Sequence, residues 1–191
     1  DSEDEGQIFV SCAGGKNTTA TFSFEKEDAP EGLFFMQISL RGWKGGHSGD
    51  DINKKRANAI KILSRFMYNV QERYGVRLAS FNGGKLHNAI PRDGVVVFAV
   101  PTANKEDVRV DWNVFATEIE EEYHVTEQNM VFEMGSTDAQ KVLPLEVSTK
   151  LIQALQAIDN GVFAMCQDEA LAWMVETSTN TASVNTSDNN V

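Results

Sequence analysis

The sequence predicts an α+β fold, a two-layer sandwich in which a mixed, mainly antiparallel sheet carries helices on one face. Strand-like segments rich in Val, Ile, Phe and Thr come in runs, and three longer segments with apolar residues at helical spacing interrupt them. At 191 residues, one compact domain that buries roughly 70% of the surface of the unfolded chain is expected. Two strand–helix–strand halves, joined near Asn104, leave open a pair of similar subdomains.

Composition favours strands in eight segments, several of which alternate apolar with polar residues. The alternation is clearest from Thr18 to Glu25, so one face of its sheet is expected to contact water. The predicted strands are Gln7 to Cys12, Thr18 to Glu25, Leu33 to Arg41, Val76 to Phe81, Gly94 to Val100, Met130 to Met134, Val162 to Met165 and Trp173 to Thr177.

The first predicted helix extends from Ile52 to Tyr74, where apolar residues recur at helical spacing. Gly75 follows as a C-terminal stop, and Ser48 or Asp50 is the predicted N-terminal cap.

The other two helices are predicted from Asn104 to Tyr123 and from Pro144 to Ile158. In the former, Trp112 and Phe115 belong to a stripe that faces the core, while the acidic run Glu120 to Glu122 is expected in solvent. Pro144 suits the first turn of the latter helix.

The charge balance argues against two classes of partner. The formal net charge is -11, so nucleic-acid phosphates and anionic membrane surfaces would be repelled. No apolar run approaches the roughly 18 residues that span a bilayer. A protein without nucleic-acid or membrane partners is therefore expected, although a local cationic pocket is compatible with this charge.

A glycine-rich corner between the third predicted strand and the first predicted helix presents His47. Its ring nitrogens are suited to donate to a carbonyl oxygen or a carboxylate, and the flanking glycines leave space for a ligand. The alternative is a solvated loop histidine in a simple turn. A phosphate-binding loop is disfavoured, because Lys44 precedes the glycines and no Gly-Lys-Ser/Thr follows.

A second polar corner contains Asn88, shortly before Pro91. The proline favours an extended backbone at Ile90, so an amide at position 88 is suited to hold a ligand carboxylate or carbonyl from a fixed place. The alternative is an Asn that bonds its own backbone in a turn.

Neither a metal-binding motif nor a nucleophilic triad is recognisable. The three histidines lie far apart in sequence, and no H-E-x-x-H or C-x-x-C pattern occurs. Ser48 is adjacent to His47 and cannot form a serine–histidine dyad with it without strain. From the residues alone, the prediction ends at a mixed α/β domain with two ligand-facing corners.

Taken together, the two corners resemble the aminoacyl-histidine dipeptidases, bacterial zinc dipeptidases of the carnosinase-like group. The similarity extends in order over essentially the whole chain. The segments that carry it are Asp1-Ser2-Glu3-x-Glu5-Gly6, Cys12-Ala13-Gly14-Gly15, Gly45-Gly46-His47-Ser48-Gly49-x-x-Ile52, Arg56-Ala57-Asn58-Ala59, Gly83-Gly84-x-x-x-Asn88-Ala89-Ile90-Pro91-Arg92 and Val175-Glu176-Thr177-Ser178.

The resemblance implies a lid domain inserted into a catalytic domain that is split in sequence. Residues 1–15 would be the end of a catalytic segment with its connection, and residues 16–191 the inserted lid or dimerisation-like domain. Asp1 would correspond to a ligand of one of two zinc ions in the whole enzyme. His47 would contact the substrate near its scissile carbonyl and stabilise the oxyanion, and Asn88 would also bind the substrate.

The implied enzyme is a cytoplasmic metallo-dipeptidase that hydrolyses Xaa-His and related dipeptides. Its lid would partner the catalytic domain of the same chain and the dipeptide substrate, with a homodimer also implied. The catalytic motifs of the family are absent from this sequence, so the 191 residues alone are expected to be inactive and to bind no zinc. The rival hypothesis is a stand-alone α/β ligand-binding or dimerisation module without catalysis.

Overall fold

A five-stranded sheet organises the molecule in the computed structural model, which describes residues 5, 6, 8 and 14–191. The strands are β1 (Leu33–Arg41), β2 (Gly46–His47), β3 (Arg77–Gly83), β4 (Ala89–Ile90), β5 (Gly94–Pro101), β6 (Val131–Ser136), β7 (Gly161–Met165), β8 (Val175–Thr179) and β9 (Val184–Asn185). The helices are α1 (Ala59–Tyr74), α2 (Lys105–Tyr123) and α3 (Leu145–Ala157).

The sheet has the strand order β6-β1-β5-β3-β9 and all its pairs are antiparallel. Since β5 lies between β1 and β3, those two strands are parallel to each other and α1 connects them. In the same way α2 connects β5 to β6 across β1. Two strand–helix–strand units thus share one sheet, and the predicted α+β sandwich is confirmed. The predicted domain limits, 1–15 and 16–191 with a join near Asn104, stay a prediction.

The main core lies between the sheet and the three helices. Alternate residues of β1 and β5 point into it, among them Ile38 and Phe98, both fully buried. In β3, the register shifts between Leu78 and Ser80, so that Leu78 and Phe81 both reach this core although three positions separate them. A bulge therefore replaces strict alternation in the strand that ends nearest the second polar corner.

The opposite face of the sheet is also covered in part. Phe35, Ala79, Val97 and Ala99 form a small buried cluster there with Val142. Val142 exchanges two backbone hydrogen bonds with Glu27, at 2.9 Å each. This contact places an extended segment against the second face.

The second helix has the orientation that its sequence predicts. Trp112 and Phe115 are buried, and Glu120, Glu121 and Glu122 are exposed. The ring of Trp112 lies 5.0 Å from that of Phe66 in α1, which joins the two helices.

Two predictions of elements were wrong. The segment from Thr18 to Glu25 forms no regular strand, because its pairing is limited to a single bridge between Ser23 and Asn190 and to backbone bonds with the last residues of the chain. The first helix does not begin at Ile52: a single 3₁₀ turn (Ile52–Lys54) ends at Lys55, which has a left-handed backbone with φ of 54°.

The N-terminal cap of α1 is therefore Asn58, and not Ser48 or Asp50. Its side-chain oxygen accepts hydrogen bonds from the backbone N–H groups of Ile60 (3.0 Å) and Lys61 (3.2 Å). The predicted strand from Gln7 to Cys12 lies outside the described residues, apart from residue 8.

Two small ribbons lie apart from the main sheet. β7 and β8 form one of them. β2 and β4 form the other, and it holds the two polar corners together. No helix within the described ranges is long and apolar enough to cross a membrane.

Candidate functional site

The β2–β4 ribbon brings the two predicted corners into contact. Gly46 pairs with Ile90, and His47 pairs with Ala89. One position further on, the backbone N–H of Ser48 donates to the carbonyl oxygen of Asn88 at 2.9 Å. The backbones of the two candidate residues are thus one ribbon position apart, although 41 residues separate them in sequence.

The ring of His47 is exposed, but one of its nitrogens is fixed. Its side chain is 51% accessible to solvent. Nδ1 accepts hydrogen bonds from the backbone N–H groups of Gly49 (3.2 Å) and Asp50 (3.3 Å). Nδ1 therefore carries no proton in the neutral ring, and the proton is on Nε2. No described residue hydrogen-bonds Nε2, which leaves a donor directed away from the loop.

A carboxylate also lies near Nδ1. Because a carboxylate is an acceptor, it would favour a proton on Nδ1 rather than on Nε2. One oxygen of Asp50 is 3.4 Å from that nitrogen. The Asp50 side chain is 87% exposed, so water screens this pair strongly. The two backbone donors are fixed by the turn itself, and they determine the tautomer.

Charged side chains hold the backbone on both sides of His47. Asp51 accepts from the backbone N–H of His47 at 2.8 Å and pairs with Lys54 Nζ (2.7 Å) and Arg56 Nη2 (2.9 Å). Arg56 Nη1 in turn donates to the carbonyl of Gly45 at 2.6 Å. The hydrogen bond from Lys54, helped by that from His47 and by the Arg56 charge, holds the pKa of Asp51 below its usual value.

A third acidic residue connects this loop to the end of α2. Glu127 is 2% exposed, and its two carboxylate oxygens accept from the backbone N–H groups of Lys44 (2.7 Å) and Ala57 (3.0 Å). It therefore ties together the segment that enters the His47 corner and the segment that leaves it.

Asn88 occupies a turn and keeps its side chain available. The backbone N–H of Ala89 donates to the carbonyl of Leu86 at 3.2 Å, which closes the turn around His87 and Asn88. Asn88 is exposed, and among the described residues none hydrogen-bonds its amide. The turn-stabilising alternative for this side chain is therefore not what the structure contains.

A groove of about 670 Å³ lies beside the ribbon and is lined by Lys44, Lys85 and Arg92, with Asp93 as the acidic residue. Within the part of the chain that the structure describes, Lys44 and Lys85 make no ion pair, whereas Arg92 Nε is 3.5 Å from Asp93. In a chain with a net charge of -11, this edge is locally cationic.

His47 and Asn88 stay predictions as site residues, and no pattern in the sequence pointed to the residues that contact the His47 loop. Arg56 stands within a segment that resembles the family, yet no pattern gave it a role. Glu127 is 70 positions from Ala57, so no local spacing connects the two. Asp1, the predicted metal ligand, lies outside the described residues.

Within residues 14–191 and the few described before them, no group of three or more His, Cys, Asp or Glu side chains is arranged to hold a metal ion. These residues do not fit a zinc site.

Comparison with known proteins agrees with this architecture. Residues 38–127 match the family model described as the peptidase dimerisation domain. The cytosol non-specific dipeptidase of Escherichia coli K12 is 37% identical over 193 residues, which cover 100% of this chain and 39% of that protein.

A solved structure supports the same relationship. The aminoacylhistidine dipeptidase of Vibrio alginolyticus has a TM-score of 0.84 and 33% identity, covering 89% of this chain and 34% of that one. The chain thus spans less than two fifths of the length of either relative. The chain is thus similar to part of each of these two dipeptidases, and its residues 38–127 match the peptidase dimerisation domain.

Proposed function

We propose that this domain binds the substrate of a dipeptidase, and that His47 donates a hydrogen bond from Nε2 to the carbonyl oxygen of the scissile peptide bond. The observation that carries the proposal is the pair of backbone N–H groups on Nδ1, since they leave the proton of the neutral ring on Nε2. The names of the two relatives support a dipeptide as the substrate.

The chemical contribution of His47 follows from how a peptide bond is hydrolysed. When water attacks the carbonyl carbon, the carbonyl oxygen gains negative charge. A preoriented donor binds that oxyanion more tightly than it binds the neutral carbonyl, and one such donor contributes about 3 kcal/mol to the lowering of the barrier. An Nε2–H held by a rigid turn meets this requirement.

Asn88 is proposed to bind the same substrate. Its exposed amide and its adjacency to His47 support this role, and the cationic groove nearby favours a substrate with a carboxylate. A dipeptide zwitterion brings both a carbonyl oxygen and a terminal carboxylate within a short distance of each other.

The proposed enzyme is a cytoplasmic metallo-dipeptidase in which zinc is bound outside the described residues. The description of one relative as cytosolic supports the location. Asp1 is the residue of this chain proposed as a zinc ligand. Activity and zinc belong to the proposal for the full-length protein, and the 191 residues alone are expected to be inactive.

The test is His47→Ala in the full-length gene product that contains this chain. We expect kcat for an Xaa-His dipeptide to fall about a hundredfold, as for the loss of one oxyanion donor, with zinc content unchanged. His87→Ala is the matched control, because that histidine is exposed in the adjacent turn and has no proposed role. An unchanged kcat, or a loss of zinc that accounts for the lower activity, would refute the role of His47.

Homodimerisation is a second proposed function, favoured by the description of the matched family model and by one surface. β6 is one of the two edge strands of the five-stranded sheet, and Trp112 of α2 packs on Phe132 of β6 with ring centres 6.1 Å apart. On the outer side of α2, Val110 and Val114 are 62% and 55% exposed. Two exposed valines on a helix that packs on an edge strand suit contact with a second copy of the chain.

Sedimentation equilibrium of the 191-residue chain tests this surface. We expect a dimer for the unaltered chain and a monomer for Val110→Glu/Val114→Glu, because the new carboxylates would be buried in the interface. Val125→Glu is the control, since Val125 is 76% exposed beyond the end of α2. If the double variant remains dimeric, the proposed face is wrong.

A further inference from the structure

The backbone around His47 is held by charged side chains rather than by neighbouring backbone alone. We propose that Asp51 and Arg56 are positioning residues, which fix the loop so that Nε2 of His47 points at the reacting carbonyl. This inference rests on the proposed role of His47 and extends it to two residues that do not touch the substrate.

Asp51 binds the His47 residue directly. One carboxylate oxygen accepts the backbone N–H of His47 at 2.8 Å, while the backbone N–H of Asp51 donates to the carbonyl of His47 at 3.0 Å. The loop from residue 47 to residue 51 is thus closed twice. Because the two donors to Nδ1, at positions 49 and 50, lie within this loop, a change at Asp51 alters the contacts of the ring itself.

Asp51 and Arg56 together form a clamp on the backbone around His47. Arg56 extends it to Gly45, the residue before the ribbon. Its guanidinium bridges Asp51, at 2.9 Å, and the carbonyl of Gly45, at 2.6 Å. Both charged side chains are only 16% exposed, so solvent screens their pairing less than it screens a surface ion pair. A planar guanidinium can make both contacts at once in a fixed geometry. A lysine ammonium keeps the charge but lacks this planar arrangement of donors.

The side chains of Asp51 and Arg56 lie so close to Gly46 that they leave no space for a side chain there. A Cβ atom at this position would overlap Arg56 Nη1 and Asp51 Oδ2, and the backbone φ is +141°. The two side chains therefore lie directly against the ribbon residue that precedes His47. Glu127, which binds Lys44 and Ala57, anchors the outer ends of the same stretch.

Positioning predicts an effect on turnover that depends on the presence of His47. Displacing a catalytic group by about 1 Å is able to cost a hundredfold in rate. Asp51→Asn keeps the size of the side chain and one oxygen for the His47 N–H, but loses the charge that holds Arg56 and Lys54. In the full-length protein we expect kcat for an Xaa-His dipeptide to fall about tenfold or more with little change in KM.

A double-mutant cycle with His47→Ala separates positioning from general stability. If Asp51 acts through His47, Asp51→Asn lowers kcat in the native background and has no further effect once His47 is alanine. Arg56→Gln is measured in the same cycle, so that a folding failure of one variant leaves the other, and Arg56→Lys should recover part of the loss. The control is Glu146→Gln, which removes the exposed Glu146–Lys150 pair on α3.

The outcomes distinguish this inference from the proposed function. Equal losses with and without His47, or no loss in either background while His47→Ala is impaired, would overturn the positioning role alone. If His47→Ala itself leaves kcat unchanged, the proposed function fails and the inference fails with it. Zinc content and melting temperature, measured for every variant, identify a loss that comes from unfolding.

Discussion

At the scale of single residues, the site is defined by how a turn selects one tautomer of a histidine. Nδ1 of His47 is occupied by two backbone N–H groups, so the exposed Nε2 is the donor. The same turn is closed by Asp51, and Gly46 lets the ribbon lie directly against Asp51 and Arg56. The exposed donor thus depends on residues that are themselves mostly buried.

Gly46→Ala is expected to lower the free energy of unfolding of the 191-residue chain by about 1–3 kcal/mol, because the methyl group would overlap the clamp and φ of +141° disfavours a side chain. Urea denaturation measures the change. Gly135→Ala is the matched control, since a Cβ there meets nothing within 4 Å and its φ is ordinary. Equal stability of the two variants would show that the ribbon relaxes at no cost.

At the scale of elements, the two polar corners could be predicted as turns, but the pairing of β2 with β4 that brings them together could not. Glycines and the Asn-Ala-Ile-Pro sequence mark both corners as turns. The two-residue ribbon that joins them has no periodicity to detect, and its paired residues, Gly46 with Ile90 and His47 with Ala89, are far apart in sequence. The first helix was predicted too early because Ile52 fits the apolar spacing, whereas Lys55 has a left-handed backbone that ends the 3₁₀ turn.

Substitution of Asn58 tests whether α1 begins after this residue. Asn58 caps two N–H groups of α1 and donates to the carbonyl of Thr181 at 3.0 Å, while being 3% exposed. Asn58→Ala should lower the free energy of unfolding by about 1–2 kcal/mol from the lost cap, and more if the carbonyl of Thr181 stays unpaired.

Asn104→Ala serves as the control for that measurement, because Asn104 precedes α2 but makes no side-chain cap. Chemical denaturation of both variants gives the comparison. A smaller loss for Asn58→Ala than for Asn104→Ala would contradict the assigned cap.

At the scale of the whole molecule, the two ends of the described chain close the fold together. Phe22 exchanges backbone hydrogen bonds with Val191, at 2.8 and 3.1 Å, and the N–H of Phe24 donates to Asn189 at 2.9 Å. Alternation in the segment from Thr18 to Glu25 predicted that one face contacts water, and Phe24, at one of the apolar positions, is 8% exposed. The pairing of this segment with the last residues of the chain could not be predicted, because more than 160 residues separate the two.

Deleting residues 187–191 should therefore lower the free energy of unfolding by about 3 kcal/mol, from three backbone hydrogen bonds at about 1 kcal/mol each. Thermal and urea denaturation measure the loss. Asp188→Ala is the control, because Asp188 is 98% exposed and its ion pair with Lys26, at 3.8 Å, should contribute almost nothing. A deletion as stable as this control would mean that the terminal pairing does not hold the sheet.

The proposed action of His47 on the transition state through Nε2 is tested most directly by inhibitor binding to the full-length protein. A phosphinate analogue of an Xaa-His dipeptide has the tetrahedral centre and charged oxygen of the transition state, whereas an unreactive dipeptide resembles the ground state. The account predicts that His47→Ala weakens binding of the phosphinate about a hundredfold and leaves binding of the unreactive dipeptide nearly unchanged. Equal weakening of both ligands, or none of either, would contradict it.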